Sequence, residues 1–266
     1  MSSERRPAQL RILLDGELPG ATNMAIDDVL LAGSSPYEYS MRWYAWARPT
    51  VSLGYAQRWR DGFDRRCAGR LGVDLVRRRT GGRAVLHAGE LAYALAGPAA
   101  TGPFADGILP TSQVIAAGVV AGLVRLGADV QLERTRGRRR RDEPGACFAA
   151  RAMHEVIGDR RKLLGSAQRR EAGRVLQHGS LPLLPPDAAL WGVLGDSGAG
   201  AARQSVGLYE LLVDRPSRRT IASTLSEAVA EALGLTPRLG SLSRAERVAE
   251  VRQRRLYNDS RHTLRR

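Results

Sequence analysis

The stretch "RRKLLGSAQRREAGRVLQHGSL", residues 160–181, decides how this chain folds. Its two halves have the length of strands, and "EAG" at 171–173 supplies the glycine-containing turn between them. Upstream, "HEVI" is joined to it through a second turn, "GDR" at 158–160, so the segment reads as consecutive antiparallel strands. Polar and glycine-containing positions, Gly165 to Gln168 and His178 to Ser180, interrupt these otherwise ordinary strands. Lys162, inside the same stretch, is the only lysine among 41 basic residues. Arginine stays protonated at any working pH, whereas lysine releases its proton once burial or neighbouring cations lower its pKa. A site that needs a base or proton shuttle therefore has one candidate ammonium.

Outward from this hairpin the pattern alternates between strands and helices. "QLRILLD" (9–15), "YSMRWYAWA" (39–47), "TVSLGYAQ" (50–57) and "VDLVRRRT" (73–80) read as strands, and "TGGRAVLHAGELAYALAG" (80–97) as two short strands around "HAGE". "TNMAIDDVLLAG" (22–33) reads as a helix capped by Thr22 or Asn23, with acids in its early turns and one buried face. "DGFDRRCAGRLG" (61–72) is a short helix with Cys67 in the core, and the longest helical pattern, 112–128, opens at Ser112 and ends at Gly127. Toward the C-terminus come a helix near 187–194, a Gly/Ala/Ser linker at 195–203, and helices at about 220–233 and 243–257. The expected fold is α/β (α+β): a mixed, largely antiparallel sheet flanked by helices, with a helical C-terminal tail. Residues 8–215 form the expected catalytic domain, and 216–266 an extension packed on it.

With 266 residues and 43% apolar content the chain is long enough to bury a full core. No run of 18 apolar residues occurs and the first twenty residues lack a cleavage pattern, so a soluble, cytoplasmic, monomeric protein with no membrane partner is expected. Two cysteines exclude a disulfide framework, and the histidines have no metal-ligand spacing, so no metal is expected. A net charge of +14 attracts polyanions, with the densest run in "RTRGRRRRDEPG" (134–145). No aromatic residue interleaves with those arginines, which argues against specific nucleic-acid binding, and an acidic protein partner suits the same charge equally well.

Two further polar clusters matter. In "RRRTGGRAVLH" (77–87), Gly81 and Gly82 remove side chains where a ligand or another backbone comes close, and the flanking Arg77, Arg78, Arg79 and Arg83 suit a phosphate or carboxylate. In "GACF" (145–148), Cys147 is either a buried thiol or a nucleophile, and a nucleophilic thiol must ionise beside a cation. Lys162, 15 residues on and across one strand reversal, is placed to be that cation.

Taken in order, "NMAIDDVLL", "PTVSLGYAQ", "RRRTGGRAVLHAGELAYAL", "CF" and "RRKLLGSAQRREAGRVLQHGSL" resemble the lipoate and biotin protein ligase catalytic fold. They are most similar to its octanoyl-[acyl carrier protein]:protein octanoyltransferase branch with a cysteine nucleophile. That resemblance implies Cys147 and Lys162 as the catalytic pair. It implies Arg78, Arg79, Thr80, Gly81, Gly82, Arg83, His87, Gly165, Ser166, Ala167, Gln168, His178 and Gly179 as substrate-binding residues. An octanoyl-acyl carrier protein would be the donor and a lipoyl-domain lysine the acceptor. A thioester exchanged for a thioester conserves bond energy, so no ATP or other cofactor is expected. The alternatives are an ATP-dependent lipoate ligase, which has no need of the thiol, and an amidotransferase between lipoyl domains.

Overall fold

In the computed structural model, which describes residues 8–33, 39–133 and 155–265, the hairpin of 161–181 forms the middle of the sheet. The strands are β1 (Gln9–Leu18), β2 (Tyr39–Trp46), β3 (Thr50–Leu53), β4 (Asp74–Arg77), β5 (Val85–His87), β6 (Leu91–Pro98), β7 (Val130–Leu132), β8 (Val156–Gly158), β9 (Arg161–Glu171), β10 (Arg174–Leu181) and β11 (Thr236–Leu239). The helices are α1 (Gly20–Ala32), α2 (Arg65–Leu71), α3 (Ile108–Arg125), α4 (Gly198–Gln204), α5 (Arg218–Leu233), α6 (Arg244–Tyr257) and α7 (Ser260–Thr263). Eight strands lie in the order β11-β1-β2-β6-β10-β9-β8-β7, and β4-β3-β5 form a separate three-stranded sheet. Among the described residues only β1 with β11 and β1 with β2 run parallel in the large sheet, so it is mixed and largely antiparallel.

Two helical layers flank the sheet. On one face α3 and α5 pack together over Trp43, Tyr93, Leu95, Leu164 and Val175. Gly118 and Gly122 of α3 lie directly against the backbone and side chains of Leu225, Ala228 and Val229, which brings the two helix axes close. On the other face α1 packs between the sheet and α6. This second contact changes the reading of α1. Its expected single buried face is instead burial all round, with Asp27 and Asp28 buried, and its start is at Gly20 after Pro19, with no side-chain cap. Asn23 serves the adjacent strands instead, donating to the carbonyls of Leu18 and Ala45.

The segment beyond 215 supplies α5 to the helical layer, β11 to the sheet edge beside β1, and α6 to the cover over α1. The expected linker at 195–203 is largely helix α4, because Ala201 is fully buried against Trp191 and Val193. The long helix starts earlier than expected, at Ile108, and Ser112 is inside it, donating to Gln177 on β10. Cys67 is buried in the cluster between α2 and the small sheet.

Candidate active site

The large sheet and the small sheet face one another across a cavity. From the large sheet it is lined by Gly165, Ser166 and Ala167 of β9, His178, Gly179 and Ser180 of β10, Tyr44 and Trp46 of β2, and Ala92 of β6. Met24 closes it from α1, and Ser52, Arg78 and His87 from the small sheet and its loop. Antiparallel pairing sets His178 opposite Ala167, Gly179 opposite Ser166 and Ser180 opposite Gly165, so small side chains face each other across two central strands. A sheet floored by such residues leaves room for a slender apolar group.

A β-bulge turns Lys162 toward Gly165, behind the wall of this cavity. Ile157 pairs with Lys162 but Val156 pairs with Leu164, so one residue of β9 is extra. Adjacent residues of β8 point to opposite faces, so their partners Lys162 and Leu164 do too, and Lys162 shares a face with Gly165. An unbulged strand would have turned it away. Lys162 is fully buried, and its Nζ donates to Glu155 Oε1 at 2.6 Å. A Cβ placed on Gly165 would sit 2.7 Å from Lys162 Cε and 2.9 Å from Nζ, so the ammonium occupies the space that this glycine's missing side chain leaves. Segment 205–206 closes the other side, with Val206 N donating to the Lys162 carbonyl at 3.1 Å.

The remaining walls are held by buried charge. Asp27 on α1 accepts from Arg42 at 2.9 Å and from the Tyr44 hydroxyl at 3.1 Å, and its carboxylate is 2.9 Å from His178 Nε2. Burial pushes the Asp27 carboxyl up, but His178 and Arg42 outweigh it and hold it below the usual carboxylate value. Asp28 goes the other way: burial raises it despite Arg79, Tyr257 and Gln253 around it. The signs give a pH prediction. A depressed folded-state pKa contributes stability above the unfolded value and loses it as pH falls through the folded one. The unsubstituted protein should therefore lose thermal midpoint more steeply between about pH 5 and pH 3 than Asp27→Asn, with Asp28 partly offsetting the slope because its raised pKa has the opposite sign. Equal slopes in calorimetric scans of the two proteins would refute that assignment.

The sequence-predicted residues separate into groups. Gly165, Ser166, Ala167, His178, Gly179, Arg78 and His87 line the cavity, and Thr80 reaches its rim by its contact with His178 Nδ1 at 3.3 Å. Gln168 does not: strand alternation turns it to the α3 side, where it donates to Gln177 at 3.0 Å and to Ser112 at 3.4 Å. The arginines expected to hold an external anion are turned inward. Arg77 donates to the carbonyls of Gly54, Gln57 and Thr263, and Arg78 to those of Ser52, Gly81 and Arg83. Arg79 pairs with Asp28 at 3.2 Å. A loop that crosses positive φ at Gly82 leaves carbonyls without ladder partners, and these guanidiniums satisfy them. Arg83 is half-buried, and Gly81 is exposed with open space around it. The close approach that needs glycine is made by backbone: a Cβ on Gly54 would fall 1.9 Å from the Gly82 carbonyl oxygen.

Cys147, Phe148, His154 and the arginines of 136–141 lie outside the described residues. Sequence reasoning missed Asp27, Tyr44, Ser52, Glu90 and Glu155. In the sequence Asp27 is one of the acids in the early turns of a helix and Tyr44 part of a plain strand, and the isolated Glu of "HEVI" carries no spacing signal. Among the described residues no group of three His, Cys, Asp or Glu side chains is arranged to hold a metal ion.

The lipoyl protein ligase A/B catalytic domain family matches residues 19–210. An octanoyltransferase LipM of Moorella thermoacetica is 38% identical over 240 residues, 85% of this chain and 86% of the relative. A second octanoyltransferase LipM, from Kyrpidia tusciae, is 36% identical over 251 residues, 89% of this chain and 92% of the relative. A putative lipoate protein ligase of T. acidophilum, solved with bound lipoic acid, superposes with a TM-score of 0.78 at 18% identity, covering 98% of this chain and 100% of that one, which establishes a shared fold.

Proposed function

Starting from membership of the lipoyl protein ligase A/B catalytic-domain family, to which this chain belongs, we propose that it is an octanoyltransferase taking octanoyl from acyl carrier protein through Cys147 to a lipoyl-domain lysine. The observation that carries the reading is the buried Lys162 amine, set against Gly165 at the wall of an apolar cavity and charge-compensated by Glu155.

The chemistry follows from these groups. Cys147 attacks the thioester carbonyl carbon as the thiolate, its proton held on the Lys162 ammonium beside Glu155. The carbon–sulfur bond to the carrier's phosphopantetheine breaks, and the leaving thiolate recovers that proton from the Lys162 ammonium. The incoming lysine amine then attacks the acyl-cysteine, Lys162 accepts the amine's proton, and the proton passes to the departing Cys147 sulfur. Glu155 stabilises the ammonium in each half-reaction, which a buried cation needs. No nucleotide enters, because the donor thioester already carries the group-transfer energy. The protein acts as a cytoplasmic monomer in this reading, and its charge of +14 steers acidic carrier and lipoyl domains toward it.

Intact-mass analysis after mixing with octanoyl-carrier protein, without ATP, tests it. One octanoyl group should be added, removable by neutral hydroxylamine and absent from Cys147→Ala. Transfer at full rate by thiol-blocked protein, or a requirement for ATP, would overturn the reading.

A further inference from the structure

The cavity holds a second hydrogen-bonded chain that the cysteine mechanism leaves idle. Ser52 Oγ on β3 is 2.7 Å from His87 Nε2 on β5, and His87 Nδ1 is hydrogen-bonded to Glu90 Oε1. All three are buried, and Ser52 and His87 line the cavity. With Nδ1–H donated to the Glu90 carboxylate, the neutral ring presents Nε2 as the acceptor for the serine hydroxyl. The ring is held by stacking on Trp46, with centroids 4.1 Å apart and planes 16° from parallel. Arg78 Nη1 lies 3.1 Å from Ser52 Oγ and donates to it, a cation placed where negative charge on that oxygen would develop. Nucleophile, oriented base, carboxylate orienter and adjacent cation are the parts that activate a hydroxyl.

We propose that Ser52, His87 and Glu90 form a second nucleophilic centre, which takes a medium-chain acyl group from an activated ester or thioester and releases it to water. Ser52 Oγ attacks the carbonyl carbon while its proton passes to His87 Nε2. The bond from that carbon to the leaving oxygen or sulfur breaks, and the leaving group takes the proton. Water then attacks the acyl-serine and gives its proton to His87. The ester bond breaks, His87 reprotonates Ser52, and a fatty acid leaves. The step draws on the proposed octanoyl reading only for the chain the cavity accepts, and it does not involve Cys147.

The test uses the full-length Cys147→Ala protein with p-nitrophenyl octanoate, so that failure of the cysteine mechanism cannot be confused with failure of this one. Hydrolysis should proceed, and it should fall about 10²-fold or more in Ser52→Ala and in His87→Gln, the contribution of a positioned base. Peptide mapping of the trapped adduct should place octanoyl on Ser52 as an ester that resists neutral hydroxylamine. Because the mapping needs no substitution at Ser52, a poorly folding Ser52→Ala protein leaves the test intact. An adduct on Cys67 or on surface residues, hydrolysis no faster than with unfolded protein, or a folded Ser52→Ala protein of undiminished rate would each overturn the proposal.

Discussion

Gly165→Ala should lower the rate of octanoyl transfer by about 10²-fold while leaving the protein folded. The new methyl would sit 2.7 Å from Lys162 Cε and 2.9 Å from Nζ, distances that real Cβ atoms do not sustain. What must move is the end of a flexible side chain, so the backbone need not shift and the loss of stability should be small. The amine has little freedom in its new position. It is fully buried, it is paired with Glu155 at 2.6 Å, and the bulge fixes the direction in which its stem leaves the strand. A displacement of about an ångström in a proton-transferring group costs on the order of 10² in rate. Gly81→Ala is the control from the other glycine cluster: its Cβ would meet no atom within 4 Å, and rate and melting temperature should stay near those of the parent. Lys162→Arg separates charge from proton release, because a guanidinium keeps the cation but cannot give up its proton. It should form little acyl-enzyme. Equal rates for Gly165→Ala and Gly81→Ala in a single-turnover transfer assay would mean that the lysine's position does not govern the chemistry.

Why the bulge was invisible beforehand is instructive. Period-2 alternation puts Lys162 on the face of Leu164 and Ser166, and nothing in "RKLLGSA" marks Leu163 as the extra residue. The hairpin itself was legible because two reversals carry their own chemistry: Asp159, Arg160, Ala172 and Gly173 all adopt positive φ in the turns that were read there. The pairing of β9 with β10, and hence His178 opposite Ala167, follows from that turn. What sequence could not reach was the assignment of strands to sheets. "VSL" and "VLH" look like neighbours of the flanking strands, yet they leave the large sheet and pair with each other, bringing Ser52 to His87. The arginines of "RRRTGG" were read by charge as ligands for an anion, whereas burial turned Arg77 and Arg78 into donors for carbonyls that the glycine loop leaves over. Charge patterning on a sequence does not say which side of the surface a guanidinium ends on.

A second large effect is expected far from the cavity. Arg11 on β1 and Glu246 on α6 form a fully buried bidentate pair at 2.8 and 2.7 Å, and Arg11 also donates to Ser40 on β2 and to the Ser241 carbonyl. Glu246 has a further duty, because its carboxylate accepts from Ser243 N at 2.7 Å in the capping box that starts α6. Burial raises the Glu246 carboxyl, and Arg11 and Ser243 more than reverse this, so it is held ionised below the usual range. Removing one partner strands the other charge in the core, which costs about 3–5 kcal/mol. Glu246→Gln and Arg11→Met should each lower the unfolding free energy from denaturant titration by that amount, and thermal midpoints by about 10 °C at 2–4 °C per kcal/mol. The double variant Arg11→Met/Glu246→Leu should fall short of the sum, since neither charge is left alone. The consequence runs on to the site. α6 carries Tyr257 and Gln253, which donate to Asp28 at 2.8 and 2.6 Å, and Asp28 in turn holds Arg79 beside the glycine loop. Loosening α6 should therefore slow transfer in the single variants even below their melting temperatures. If Glu246→Gln melts like the parent, the pair is not what fastens α6 across α1, and the C-terminal helices must be held by their apolar contacts alone.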